Sequence, residues 1–500
     1  MRDPAPWQKR YGYMLLYACL IGLVSQYLFV GKAAGVSVVL FILGFYGIFL
    51  YAVQGRLGGF DQWKGQAFIG WLLLVPVGLL TMTYMLYANS LFRVLNAFAL
   101  PVLVAAQTML VTGNGGVYQR GIGFMRNVFV QLIVRPIAHI AVPFSMVKSW
   151  LPQHSNGHAV DSKWNSMRKV LIGLLLASPL LFIVIALLAS ADPIFQSWLA
   201  AIPHLFDGLS SGDGIARIGV AVVVSLYIFG YLWGLLFPKM AEVTEEEWAD
   251  FKLPEREKLS FDPVIAGTLL ISVNVVYALF AVIQFSYLFG AANGLLPSDA
   301  AYAEYARKGF AELVLVTLIN LGLLMVGLYY IRRAGNKAEA IRKLLLSLLV
   351  LFTVVMLISA YSRLSLYEDA YGFTQTRLLV HGFMLFLGVL LAIALYRIWQ
   401  ERFSLSKAYL LSALIAYVIM NYANLDDRIA SNNSVRYERS GVIDMAYLGK
   451  LSTDAAPSLI KLHSKHPDLP GLEEAIADLR SQANKDNKWP SWNVSKWRAR

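Results

Sequence analysis

Apolar residues along this chain gather into runs of roughly 17 to 25 positions with few charges, separated by shorter polar stretches, almost as far as residue 425. That is the length a helix needs to cross about 30 Å of hydrocarbon at 1.5 Å per residue. Eleven such runs predict transmembrane helices at 13–30, 35–53, 67–87, 94–112, 170–189, 217–237, 263–289, 310–331, 344–361, 378–396 and 408–424. The first is long, lacks a small-residue cleavage site and leads straight into another span, so it reads as a retained helix and not a signal peptide. One more stretch, NVFVQLIVRPIAHIAVPFSMV at 127–147, is apolar but carries Asn127, Gln131, Arg135 and His139 every four residues, on one helical face, with Pro136 and Pro143 interrupting it. Such a polar stripe is expected on a helix lying in the cytoplasmic interface.

Composition fixes the class. With 57% hydrophobic and 15% charged residues and a mean hydropathy of +0.56, the chain lies outside the balance of soluble domains and reads as an integral membrane protein. Its +12 net charge follows from topology, because Lys and Arg accumulate in cytoplasmic loops. With the N-terminus inside, 24 of the 43 basic residues fall on the inner side and seven on the outer, while 12 lie in the tail after residue 425. Nucleic-acid binding is not needed to explain the charge. The single cysteine, Cys19, sits inside the first span and excludes a disulfide framework.

The expected fold is therefore an all-α polytopic membrane bundle of about 11 transmembrane helices, N-in and C-out, with a small helical C-terminal tail domain. Helices one to four occupy 1–112, the interfacial segment 113–169, helices five to eleven 170–425, and the extracytoplasmic tail 426–500. In the inner loop 238–262, Thr244 and Glu247 have capping-box spacing for a short surface helix. The tail ends in KWPSWNVSKWRAR, where Trp489, Trp492 and Trp497 alternate with basic residues in a pattern suited to anionic lipid headgroups.

Polar chemistry gathers at the outer helix ends. Asp192 lies in SADPIF, and Gln284 with Tyr287 in IQFSYLFG. YAEYARKGFAEL at 302–313 brings Glu304, Arg307, Lys308 and Glu312 into the start of the eighth span. The connection before the tenth span offers Arg363, Tyr367, Glu368, Asp369, Tyr371, Arg377 and His381, and the eleventh ends at Asn421, Asn424, Asp426 and Asp427. Glu304, Lys308 and Glu312 share one helical face, but Glu312 has only the less favourable order with Lys308. A partner from another helix is expected for it, with Arg363 or Arg377 at the right depth. These residues form either a charged strut fixing helix order or the lining of a ligand site. Asn274 and Asn320, inside spans seven and eight, are expected to hydrogen-bond between helices, and Gly230 with Gly234 makes a GxxxG for close packing.

Familiar catalytic patterns are missing. GNGGVYQRG at 113–121 lacks the strand-to-helix setting of a phosphate loop, and HSNGH at 154–158 and HSKH at 463–466 supply too few organised ligands for zinc. No metal or cofactor is expected.

YAEYARKGFAEL, SADPIF, QFSYLFG, LYEDAYGFTQTRL, NLDDRIASNN and DMAYLGKLSTDAAPSL, in that set from about 190 to 460, resemble a bacterial polytopic membrane family catalogued as domain of unknown function four-one-seven-three. The resemblance implies a multi-pass protein of the bacterial plasma membrane and carries no reaction, substrate or catalytic residue. Transport or envelope sensing through a polar outer vestibule is the first functional expectation. A membrane enzyme acting on a lipid-linked or cell-wall substrate, with Glu312 or His381 as acid or base and Arg377 on a phosphate, is the second. A structural role, the tail contacting an envelope protein, is the third.

Overall fold

The computed structural model describes residues 5–53, 66–113, 122–150, 212–237, 261–290, 299–332, 335–485 and 487–500; within these, the side chains of 5–9, 66–67, 122, 148–150, 212–213, 215, 283–290 and 299–311 are outside that description. The expected span 170–189, the motif SADPIF with Asp192, the 113–121 loop beyond Gly113, HSNGH and the 244–247 capping box all lie outside the described residues. Among those described, ten helices are long and apolar enough to cross a membrane, and they coincide with the other ten expected spans. Their outer faces are apolar and exposed, as with Leu16, Leu20 and Leu23 or Val275, Leu279 and Val282, which is the surface of a protein solvated by lipid. The chain is an all-α, multi-pass membrane protein. It divides into two units, Met1–Glu245 with Ala483–Trp497, and Glu246–Gln482 with Arg498–Arg500.

The first unit contains α1 (Ala5–Phe29), α2 (Val36–Val53), α3 (Gln66–Leu72), α4 (Leu74–Leu86), α5 (Ser90–Val111), α6 (Ile122–Phe129), a π-helical turn at Val130–Val134, α7 (Arg135–Ala138), α8 (Val142–Trp150) and α9 (Gly212–Leu236). Lipid gives helices no hydrophobic reason to associate, so close packing and polar bonds must hold them. In α1 that device is Gly22, whose missing side chain admits Ala221 and Ser225 of α9. The pair runs antiparallel, with Tyr11 at one end against Trp233 and Phe237, ring centroids 5.1 and 5.7 Å away. Near the end of α5, Thr108 and Tyr231 of α9 share a 2.5 Å hydroxyl hydrogen bond, so α5 and α9 finish on the same side.

The polar stripe of 127–147 faces inward. Gln131 is fully buried and donates to the Tyr231 carbonyl at 3.0 Å; Arg135 donates to Gln131 Oε1 at 2.7 Å and the Gly234 carbonyl at 3.3 Å. Pro136 has no N–H to offer the carbonyl one turn back, at Leu132, and Tyr227 fills that gap from α9 at 2.9 Å. The GxxxG glycines make the approach possible: a Cβ on Gly230 would stand 2.5 Å from the Pro136 carbonyl oxygen, and one on Gly234 2.8 Å from Arg135 Cβ. Met125, Phe129, Ile137 and Ile140 are exposed on the opposite face. Amphipathicity was legible in the sequence; its direction is reversed from that of a helix resting on a water interface, because α9 supplies the polar partners.

The Trp-rich terminus also lies in this unit. Trp489 donates to the Tyr27 hydroxyl at 3.0 Å, and Val36 N–H donates to the Trp492 carbonyl at 3.0 Å, so the chain end grips the α1–α2 turn. Trp489 and Trp497 remain exposed at its surface.

The second unit is built from α10 (Pro263–Gly290), α11 (Asp299–Tyr329), α12 (Asn336–Tyr371), α13 (Gln375–Trp399) and α14 (Leu405–Tyr422), followed by α15 (Leu425–Ser440), α16 (Met445–Leu448), α17 (Ala456–Lys465) and α18 (Leu472–Asn484) of the tail. α12 is central, burying Leu346, Leu349, Met356 and Leu364 against Leu324 of α11 and Leu387 and Leu391 of α13. Both intramembrane asparagines bridge helices as expected. Asn274 donates to the Leu345 carbonyl at 3.0 Å, while Asn320 accepts from Tyr277 at 2.6 Å and donates to Thr353 at 2.9 Å. At 36 residues α12 is about 54 Å long, more than hydrocarbon requires, so it extends beyond the core of the bilayer at one end or both.

Candidate functional site

The polar end of the second unit forms where α12 stops and α13 starts. Gly372 ends α12 at φ +83°, a backbone state that favours glycine, and a Cβ there would meet Asn433 Oδ1 at 2.6 Å. Asn433 of α15 brackets the next residue, accepting from Phe373 N–H and donating to its carbonyl, both at 2.9 Å. The last carbonyls of α12 attract cations, as a helix C-terminus should. Arg436 donates to Asp369 and Ala370 at 2.8 and 2.6 Å, and Arg377 donates to Gly372.

Arg377 is thereby committed. Its guanidinium also lies over the Tyr367 ring, 4.4 Å from the centroid, and Tyr367 packs on Tyr371 at 4.9 Å. The expected Glu312–Arg377 pair does not form, because a carbonyl five residues away and an adjacent ring satisfy the arginine locally. Glu312 lies in α11, exposed, and pairs with no described basic side chain; its expected pair with Arg363 is likewise not formed. α11 does run unbroken through Glu304, Arg307 and Lys308, so the charged entry is helical; those three side chains, with Gln284 and Tyr287 in α10, lie outside the described residues.

Asp426 is 1% exposed and works as an anchor for the tail. It accepts from Gln375 Nε2 at 2.8 Å, Ser452 Oγ at 2.5 Å and Ser452 N–H at 3.2 Å. Nearby, Tyr447 accepts from the Gln375 N–H at 2.9 Å, and burial pushes its phenol up from the usual tyrosine range. Ser458 donates to Asp427 at 2.6 Å. Asn424 precedes α15 with φ +48°, a left-handed conformation asparagine tolerates.

His381 sits in a different cluster. Its Nδ1 is 3.2 Å from Glu368 Oε1, its Nε2 is 3.3 Å from Ser365 Oγ, and the Tyr361 ring meets it edge-on at 4.3 Å. Glu368 is 3% exposed. The Ser365 hydroxyl also donates to the Tyr361 carbonyl at 3.0 Å. The sequence pattern named His381 and Glu368 without pairing them, and passed over Ser365 and Tyr361. The signal available was the i, i+3 placement of Ser365 and Glu368 on one face of α12.

Among the described residues, no three His, Cys, Asp or Glu side chains converge as a metal site. The family model described as Domain of unknown function (DUF4153) matches residues 74–462. The chain belongs to the DUF4153 family. A family of unknown function is what the motifs indicated, but its number is corrected, and the match starts at 74 and so takes in α4 and α5 as well as the motif-bearing half. No curated protein and no solved structure matches the chain.

Proposed function

We propose that this DUF4153 protein is an envelope sensor of the bacterial plasma membrane, and that the Glu368–His381 pair at its outer end is the responsive element. The observation that supports this reading is the 3.2 Å approach of a buried carboxyl on α12 to an imidazole on α13. Histidine is the side chain whose charge ordinarily changes between about pH 5 and 8, and a change of charge in a nearly closed site must be answered by movement of its surroundings. The groups facing it are Tyr361, Ser365 and Glu368 from α12, with Arg377 one turn earlier on α13. α13 begins at Gln375, where the tail is fastened, so a shift of α13 against α12 would reach Tyr447 and Asp426.

Ser365, His381 and Glu368 also stand in the order of an acyl-transfer relay, which favours the enzyme as second reading. The donation of the Ser365 hydroxyl to a backbone carbonyl argues against it, since a nucleophile must give that proton to the histidine. Intrinsic tryptophan emission of the purified protein, followed from pH 5 to 8, should show a transition that His381→Gln and Glu368→Gln remove. A transition unchanged in both variants would reject the sensor, and covalent labelling of Ser365 by a fluorophosphonate would establish the enzyme.

A further inference from the structure

At the opposite end of the second unit, Phe261 and Ile331 form a short parallel bridge: Phe261 N–H donates to the Tyr330 carbonyl at 2.7 Å, and Arg332 N–H donates to the Phe261 carbonyl at 3.2 Å. The bridge ties the start of α10 to the end of α11 and leaves a cavity of about 260 Å³ between α10 and the first turns of α12. Its walls are apolar, with Val264, Leu270, Ile271, Ile331, Ile341 and Leu345. They continue onto a surface of exposed aliphatic side chains, Val264 at 75% and Ile341 at 55% among them, so the cavity opens sideways towards lipid.

Charge marks one end. Arg332 and Arg342 line the cavity; Arg332 is exposed, and Lys337 is exposed in the next turn. Arg342 is held in place by Glu339, with Nε 3.0 Å from its carboxylate, and by donation to the Gly327 carbonyl at 2.7 Å. The stretch 332–343 has basic residues at 332, 333, 337, 342 and 343 against the single acid Glu339; Arg342 pairs with Glu339 and Lys343 with Glu401 at 3.1 Å, and this end keeps a net positive charge. An apolar slot open to hydrocarbon, with cations at the depth of the headgroups, is complementary to one molecule of the bilayer itself.

We propose that this cavity binds an anionic phospholipid, with an acyl chain in the slot and the phosphate at Arg332 and Lys337. The site is independent of the Glu368–His381 pair. Two kinds of variant separate its two halves. Arg332→Gln with Lys337→Gln removes exposed charge without touching the core. Gly267→Leu fills the slot from α10, where a Cβ meets nothing within 4 Å and the helix loses only a glycine.

The test is thermal unfolding of the full-length protein in detergent with added dioleoyl-phosphatidylglycerol or dioleoyl-phosphatidylcholine. For the unaltered chain, the anionic lipid should raise Tm by about 3 °C or more over the zwitterionic one. The charge variant should lose most of that difference, and Gly267→Leu should lose the response to both lipids while matching the unaltered protein without lipid. Equal stabilisation by the two lipids in the unaltered protein would overturn the proposal, as would a full phosphatidylglycerol response retained in either variant.

Discussion

Gly22→Val is expected to destabilise the protein by about 3 kcal/mol or more, seen as a lower midpoint in thermal unfolding followed by size-exclusion chromatography. A Cβ at this position would fall inside the contact distance of Ser225 Oγ and of the Ala221 carbonyl oxygen. The hydroxyl can rotate away. The carbonyl cannot, because it belongs to the backbone of α9, so the two helices must separate. Separation then loosens the contacts above and below, including Tyr11 against Trp233 and Phe237. In lipid no hydrophobic gain compensates for lost packing between helices. A second substitution identifies the cause: Ser225→Gly should restore only a small part of the stability of Gly22→Val, because Ala221 remains in the way. A midpoint within a degree of the unaltered protein would show that α1 and α9 do not depend on this approach.

The ten described spans were legible because each is a long apolar run, which needs no knowledge of how helices pack. Asn274 and Asn320 were legible for a related reason, since an amide in hydrocarbon has few alternatives to a neighbouring helix. What the pattern left open was azimuth. The 127–147 stripe had the right period, yet nothing local told that Tyr231 and Gly234 carbonyls would receive Gln131 and Arg135. Depth misled in the same way at the candidate site. Arg377 and Glu312 were placed at matching levels, and a free helix end at Gly372 took the arginine instead. Asp426 was recognised as a candidate, but its partner Ser452 is 26 residues further on, in a tail whose course is set by folding and not by hydropathy.

That anchor predicts the second large effect. Asp426→Ala should cost about 3 kcal/mol or more, because bonds to a charged acceptor contribute about 1.5–3 kcal/mol each and three of them, made by half-buried donors, would be lost. Ser452 loses its N–H partner and its shorter hydroxyl bond, keeping the 3.1 Å one to Asp454, and Gln375 loses one amide bond at the start of α13. Asp426→Asn should be intermediate. It keeps one acceptor oxygen, but its amide must point at a group that also donates. The damage should be local first, since Tyr447 still meets Gln375 and Ser458 still meets Asp427. Limited proteolysis should therefore cut between residues 440 and 471 well below the temperature at which the helices unfold. Unchanged protection of that stretch in Asp426→Ala would mean that the remaining contacts suffice. Protection lost there together with the pH transition sought at His381 would join the two ends of α13's first turns into one device, in which the state of the histidine governs how firmly the tail is held.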